Sequence, residues 1–234
     1  MILLIAIMAS AFKNSTSKNG EGNKPLIQKW EQVAYSNYHC LQDTSLNFEA
    51  FKQGLHGFYT LKSQGKLSNS DYLTIVDFSQ HSSRERLYVI ETKNFSVVYK
   101  SLCSHGRNTG GAEANEFSNK VGSLQSSYGF FIANETYTGK FDLAMRLDGL
   151  EYCNSKARER GIVVHGANYA TKSFLDKNNN VLGRSYGCPA LPMDEAPKII
   201  HTIKEGSCFF IYSPDKSYPR KSTILRSYDF MREL

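Results

Sequence analysis

Hydrophobic and polar residues follow distinct regimes along the chain. Ile2 to Met8 form an unbroken apolar run, followed by Ala9-Ser10-Ala11 in the A-x-A form of a signal-peptidase site. No Lys or Arg precedes the run, and it is too short to span a bilayer. Residues 1–11 therefore read as a signal peptide, and export is expected. Residues 12–24 are Ser, Asn, Gly and Lys with almost nothing apolar, the composition of a flexible linker. Beyond Pro25 the pattern changes. Leu46, Phe48, Phe51, Leu55, Phe58 and Leu61 recur at helical spacing, despite Gly54 and Gly57, with Ser45 as the expected cap. Residues 25–66 are thus expected to be a helical segment packed on the main domain.

From Asp71 the pattern becomes strand-like. Tyr72 to Phe78 and Arg86 to Ile90 are β-branched and aromatic runs split by a polar turn, and Phe95 to Tyr99 follows as a hairpin partner would. Gly129–Ala133, Ala144–Leu147, Gly161–Val164 and Ser207–Tyr212 supply further strands. Ala196 to Ile203 reads as a short helix after Pro192, with Gly206 just beyond its end. Between them runs a long Gly-, Asn- and Ser-rich stretch from Gly106 to Ser127, and loops of that length are usually functional or mobile. Many short strands, few helices and no strand-helix-strand alternation predict a mainly β domain over 67–212, a sandwich or open barrel. The charged tail, 213–234, is expected to wrap the surface.

Composition narrows the function classes. A chain of 234 residues, 41% hydrophobic and 21% charged, is long enough for one good core and is not disordered. The net charge of +6 favours an anionic partner. Lys and Arg are scattered rather than gathered into a stripe, which argues against nucleic acid, while an anionic wall polymer fits. Five cysteines are an odd number, so an exported chain keeps at least one thiol outside any intramolecular disulfide. Cys208 reads as a small core hydrophobe in a strand. If Cys188 is the free thiol, the other four either pair or stay reduced.

Three segments carry candidate chemistry: Val163-Val164-His165-Gly166, Gly183 to Ala190 around Cys188, and Ser126 to Phe131. His165 stands at the end of an apolar strand where Gly166 permits a sharp turn. Cys188 lies between Gly187 and Pro189, where a glycine lets backbone N–H groups approach a substrate carbonyl. A free thiol is only a few per cent ionised at neutral pH, and a neighbouring imidazole makes it a nucleophile by taking its proton. Backbone N–H groups around Gly187 and Cys188 would then hold the oxyanion, a contribution of ~3 kcal/mol per donor. Ser185 is expected to brace the turn by a hydroxyl-to-backbone bond. His105 either lines the cleft or caps the long loop.

The ordered set His165-Gly166-Ala167 and Gly183-Arg184-Ser185-Tyr186-Gly187-Cys188-Pro189-Ala190, preceded by Arg146 to Glu151, resembles the murein L,D-transpeptidase catalytic domain family, a branch of the YkuD-like L,D-transpeptidases. The resemblance runs from about Leu67 to Tyr212. It implies a β-sandwich-like catalytic domain, Cys188 as nucleophile, His165 as base, a peptidoglycan stem-peptide substrate, and no metal or organic cofactor. Many members hold His where this chain has Tyr186, and a basic or amide residue soon after the cysteine where it has Pro189-Ala190. The substrate carboxylate then falls to Arg184 or Arg146, since a guanidinium matches a carboxylate bidentately, with Tyr186 and His105 as further cleft residues. An amine acceptor gives a 3→3 cross-link, and water gives an L,D-carboxypeptidase. Two other classes stay open. A zinc peptidase would use His105, His165 and Cys188, although no H-E-x-x-H or paired C-x-x-C is present; a silent wall-binding module would use none of them.

Overall fold

The computed structural model describes residues 24–140 and 142–232. The expected signal peptide, and the linker apart from Lys24, lie outside the described residues. Eight strands form one sheet: β1 (Tyr72–Asp77), β2 (Leu87–Glu91), β3 (Ser96–Ser101), β4 (Gly129–Gly139), β5 (Asp142–Gly149), β6 (Val163–Gly166), β7 (Ala190–Leu191) and β8 (Ser207–Tyr212). Their order is β3-β2-β1-β8-β4-β5-β6-β7. The β1–β8 and β6–β7 pairs are parallel and the rest antiparallel. Ser104, just past β3, bridges Ala190 in β7, which draws the two edges of the sheet together. The result is a nearly closed, barrel-like sheet, the open form of the expected fold.

Strand periodicity explains why the central strands read as continuous apolar runs. In β8, Cys208 and Phe210 enter one core while Phe209 and Ile211 enter the other; in β2, Tyr88 and Ile90 divide from Leu87 and Val89 in the same way. A strand covered on both faces has no polar side to alternate with. Beyond the short helix α3 (Lys172–Lys177), helix α4 (Ala196–Ile203) supplies Ile199, Ile200 and Ile203 to the second core. Helices α1 (Lys24–Cys40) and α2 (Phe48–Ser63) cover the first core, where Trp30, Phe51, Leu55 and Phe58 meet Ile75, Phe130 and Phe210.

The two glycines in α2 mark a close approach of helix to sheet. A Cβ on Gly54 would stand 2.8 Å from Ile75 Cδ1, and one on Gly57 2.1 Å from the Phe130 ring. The cap differs from the expected one. Asn47 Oδ1 accepts from the N–H of Glu49 at 2.8 Å, while Ser45 is held by Asp43 and by the Lys100 ammonium at 2.7 Å. The tail differs more. Tyr218, at the start of the short helix α5 (Tyr218–Lys221), is buried in the first core together with Ile224, Leu225, Phe230 and Met231. Tyr218 Oη donates to Glu151 Oε2 at 2.5 Å, and the Ser222 hydroxyl donates to the same carboxyl group. The tail is therefore part of the core rather than a surface wrap. All five cysteines are free thiols: Cys103, Cys153 and Cys208 buried, Cys40 exposed and Cys188 partly exposed.

Candidate active site

Strand β6 runs through His165 into Gly166 rather than ending before it, pairing His165 with Ala144 of β5 on one side and Ala190 of β7 on the other. The ring is 1% exposed, and Nδ1 lies 2.9 Å from the Gly166 carbonyl oxygen. A carbonyl only accepts, so Nδ1 carries the hydrogen and Nε2 the basic lone pair. Burial pushes the imidazole pKa below its ordinary 6.5, with the Gly166 carbonyl opposing the shift. His165 is therefore neutral at pH 7, the form a base requires.

Cys188 stands two residues before Ala190, so the β6–β7 register brings it beside the strand that carries His165. The turn is built by Ser185. Its hydroxyl donates to the Cys188 carbonyl at 2.6 Å and accepts from the Gly187 N–H at 3.0 Å. Gly187 has φ +129°, and a Cβ there would meet the Gln125 carbonyl oxygen at 2.8 Å, so both backbone conformation and space demand glycine. Ser126 braces the turn from outside, donating to the Gly187 carbonyl at 3.1 Å while accepting from the Gly106 N–H at 3.0 Å. The sulfur lies 3.6 Å from the Gly161 carbonyl. Burial pushes its pKa up, and the Val163 N–H and the Arg160 charge pull it down. The resting thiol is consequently protonated.

The other expected site residues divide. Tyr186 is 67% exposed and lies under the Arg107 guanidinium, 5.7 Å from ring centre to Cζ. The Arg107 N–H donates to the Ser185 carbonyl at 2.7 Å. Arg107 and the exposed Arg184 flank an open depression of about 320 Å³, and Arg184 donates to the Gly110 carbonyl at 3.1 Å. Arg146 is engaged elsewhere, paired with Glu135 at 3.2 Å and lying over the Tyr137 ring at 4.6 Å. His105 is also committed. Its buried ring accepts at Nδ1 from the buried Arg86 guanidinium at 2.8 Å, which fixes the hydrogen on Nε2. Burial and then the Arg86 charge drive its pKa down to about 4. Its contribution to the turn is its carbonyl, which accepts from the Ser185 N–H at 2.9 Å. Among the described residues, no cluster of three or more His, Cys, Asp or Glu is arranged to hold a metal ion.

Two residues escaped the sequence reading, Arg107 and Arg160, while Ser126 was included in a candidate segment without its role in the turn. Arg160 is half-buried and ties down the long loop, donating to the carbonyls of Ser118 at 2.6 Å and Gln125 at 2.5 Å. Its signal was its position, one residue before the Gly161 that leads into β6. A run of Arg158-Glu159-Arg160 nevertheless reads as a solvated face.

A sequence model of the L,D-transpeptidase catalytic domain matches residues 42–212. The chain belongs to this family. Members of this family act on peptidoglycan peptides. No curated protein matches the sequence significantly. Among solved structures, an L,D-transpeptidase from Mycobacterium smegmatis is 14% identical with a TM-score of 0.40, over 61% of this chain and 59% of that one. One from Mycobacterium tuberculosis H37Rv is 15% identical with a TM-score of 0.40, over 61% of this chain and 58% of that one. A fused Zn-dependent amidase/peptidase/peptidoglycan-binding-domain protein from Clostridium acetobutylicum is 12% identical with a TM-score of 0.38, over 79% and 62%. The chain thus matches less than two thirds of the length of each. No helix among the described residues is long and apolar enough to cross a membrane.

Proposed function

We propose that this chain is an exported, cysteine-dependent L,D-transpeptidase that forms 3→3 cross-links between peptidoglycan stem peptides. In this reading residues 1–11 are the signal peptide, 12–24 the linker, 25–66 a helical support and 67–212 the catalytic domain. Cys188 attacks the carbonyl that precedes the terminal D-amino acid of a tetrapeptide stem, and its proton passes to His165 Nε2. The Gly187 N–H is taken by Ser185, so the Cys188 N–H is the turn's donor for the oxyanion. Collapse breaks the peptide bond. His165 returns its proton to the departing amine, leaving a thioester on Cys188. An amine from a second stem then attacks the thioester, loses its proton to His165 and releases the thiol. Arg184 and Arg107, neither in an ion pair among the described residues, supply positive charge for the stem-peptide carboxylates beside Tyr186.

The observation that carries this reading is the β6–β7 register, which sets a braced cysteine turn against the strand bearing a buried, neutral imidazole. The test is incubation of purified chain with tetrapeptide-containing muropeptides, alongside Cys188→Ala, followed by mass spectrometry of the products. Cross-linked dimers and free D-amino acid from the wild-type chain alone are expected. Trimmed tripeptides without dimers would assign water as the acceptor. Identical profiles for the two proteins would end the reading.

A further inference from the structure

We infer that Arg160 is a positioning residue whose fixed positive charge stabilises the Cys188 sulfur once its proton has left. This rests on the reading of Cys188 as nucleophile and adds a third group to the pair. Arg160 is anchored by four hydrogen bonds to uncharged acceptors: the carbonyls of Ser118 at 2.6 Å and Gln125 at 2.5 Å, and the hydroxyls of Ser127 at 2.5 Å and Ser123 at 3.2 Å. No carboxylate lies within ion-pair distance of it among the described residues. Its neighbour Arg158 behaves in the ordinary way, on the surface, bound to Glu135 and Asp148. A half-buried guanidinium with hydrogen bonds but no counter-charge keeps its field available for an anion that forms nearby.

The sulfur is that anion. Arg160 precedes Gly161, whose carbonyl lies 3.6 Å from Cys188 Sγ, and on the other side a Cβ on Gly187 would stand 3.2 Å from Arg160 Nη2. The guanidinium thus lies against Gly187, the residue before the cysteine, while its own backbone adjoins the glycine whose carbonyl touches the sulfur. The titratable groups coupled to the sulfur are Arg160 and Tyr169, and His165 stands on the adjoining strand β6. Burial holds His165 neutral and pushes the Tyr169 phenol up to about 12, so Arg160 is the cation among them at neutral pH. The hydrogen bonds fix where that charge sits. The same anchors order the Ser118–Ser127 stretch of the long loop, so the loop and the charge are one construction.

The test separates charge from tethering. Cys40 is exposed and would also react, so the chain carries Cys40→Ser throughout. Iodoacetamide labelling of Cys188 is followed by peptide mass spectrometry from pH 5 to pH 10. Arg160→Gln should raise the apparent pKa of labelling by about one unit, about tenfold less thiolate at pH 7. Arg160→Lys keeps the charge and should label within about threefold of wild type. Ser127→Ala loosens the anchor but keeps the charge, and should leave the profile in place. An unchanged profile in Arg160→Gln overturns the inference and spares the nucleophile. Equal shifts in Ser127→Ala and Arg160→Gln overturn it in favour of tethering. If Arg160→Gln fails to fold, a shift of a full unit in Arg160→Lys overturns it and a wild-type profile there supports it. An inert Cys188 in the wild-type chain brings down the nucleophile reading, and this inference with it.

Discussion

Ser185→Ala tests how tightly the cysteine turn must be held. Ser185 is 5% exposed, and its hydroxyl serves two backbone groups at once, the Cys188 carbonyl at 2.6 Å and the Gly187 N–H at 3.0 Å. Alanine fills most of the space and satisfies neither. A buried polar group left unpaired costs about 1–3 kcal/mol, and the carbonyl beside a partly exposed cysteine regains some water, so the loss is about 2–3 kcal/mol. In a chain of this size that is a fall in melting temperature of about 5–10 °C. The larger effect is on the reaction. Without its brace the turn relaxes, and a nucleophile displaced by ~1 Å loses about 100-fold in rate. Acylation of the thiol by a carbapenem, followed by intact mass spectrometry against time, reads that rate without needing an acceptor, and calorimetry reads the stability. Ser185→Thr keeps the hydroxyl and should recover most of both. An alanine variant that acylates within about threefold of wild type and melts within about 2 °C of it would refute the claim that this hydroxyl sets the sulfur's position.

His165→Ala should slow carbapenem acylation by about 100-fold or more while Cys188 still alkylates at high pH, where no base is needed; equal rates at pH 7 would remove His165 from the mechanism. The pH profile of wild-type acylation follows from the imidazole. Burial lowers its pKa, so it stays deprotonated into mild acid, and the acid limb should be centred below pH 6.5. A limb centred above that value would contradict the neutral-base assignment. Gly57→Ala drives a methyl to 2.1 Å from the Phe130 ring, an overpacking cost of about 1–3 kcal/mol, and should lower the urea midpoint while leaving acylation per folded molecule intact.

What the sequence made legible was local. The runs at β1, β2 and β8 are visible because both faces are buried, and the cysteine turn because Ser185, Gly187 and Cys188 interact within four residues. What it hid was non-local. Helix α1 carries Trp30, Ala34 and Tyr38 at helical spacing, but polar and exposed positions between them blur the stripe that packs on the first core. Ser45 and Asn47 are both capping types, and the choice was made by Asp43 and Lys100, the latter far along the chain. The tail spreads its buried residues among charges at irregular spacing, so no period betrays them; their partner Glu151 is about 70 residues upstream. His105 was expected either to line the cleft or to cap the long loop; the residue that binds its ring, Arg86, stands just before β2, 19 positions upstream.

The electrostatics of the pair constrain how it works. Burial raises the thiol and lowers the imidazole, so the resting site holds two neutral groups rather than a thiolate beside an imidazolium. Charge separates only when the thiol proton moves, and whatever stabilises the separated state must already be in place. In the proposed mechanism one short stretch provides it: Arg160 and the Val163 N–H favour the thiolate and His165 takes the proton, all within six consecutive residues, against which Ser185 fixes the cysteine turn. That stretch is fed by the connector that begins at Glu151, whose carboxyl accepts from the Phe130 N–H, Tyr218 and Ser222. Burial raises the Glu151 pKa despite those donors, so its ionised form is held at a cost. The C-terminal segment is therefore bonded to one end of the connector while its other end meets the sulfur.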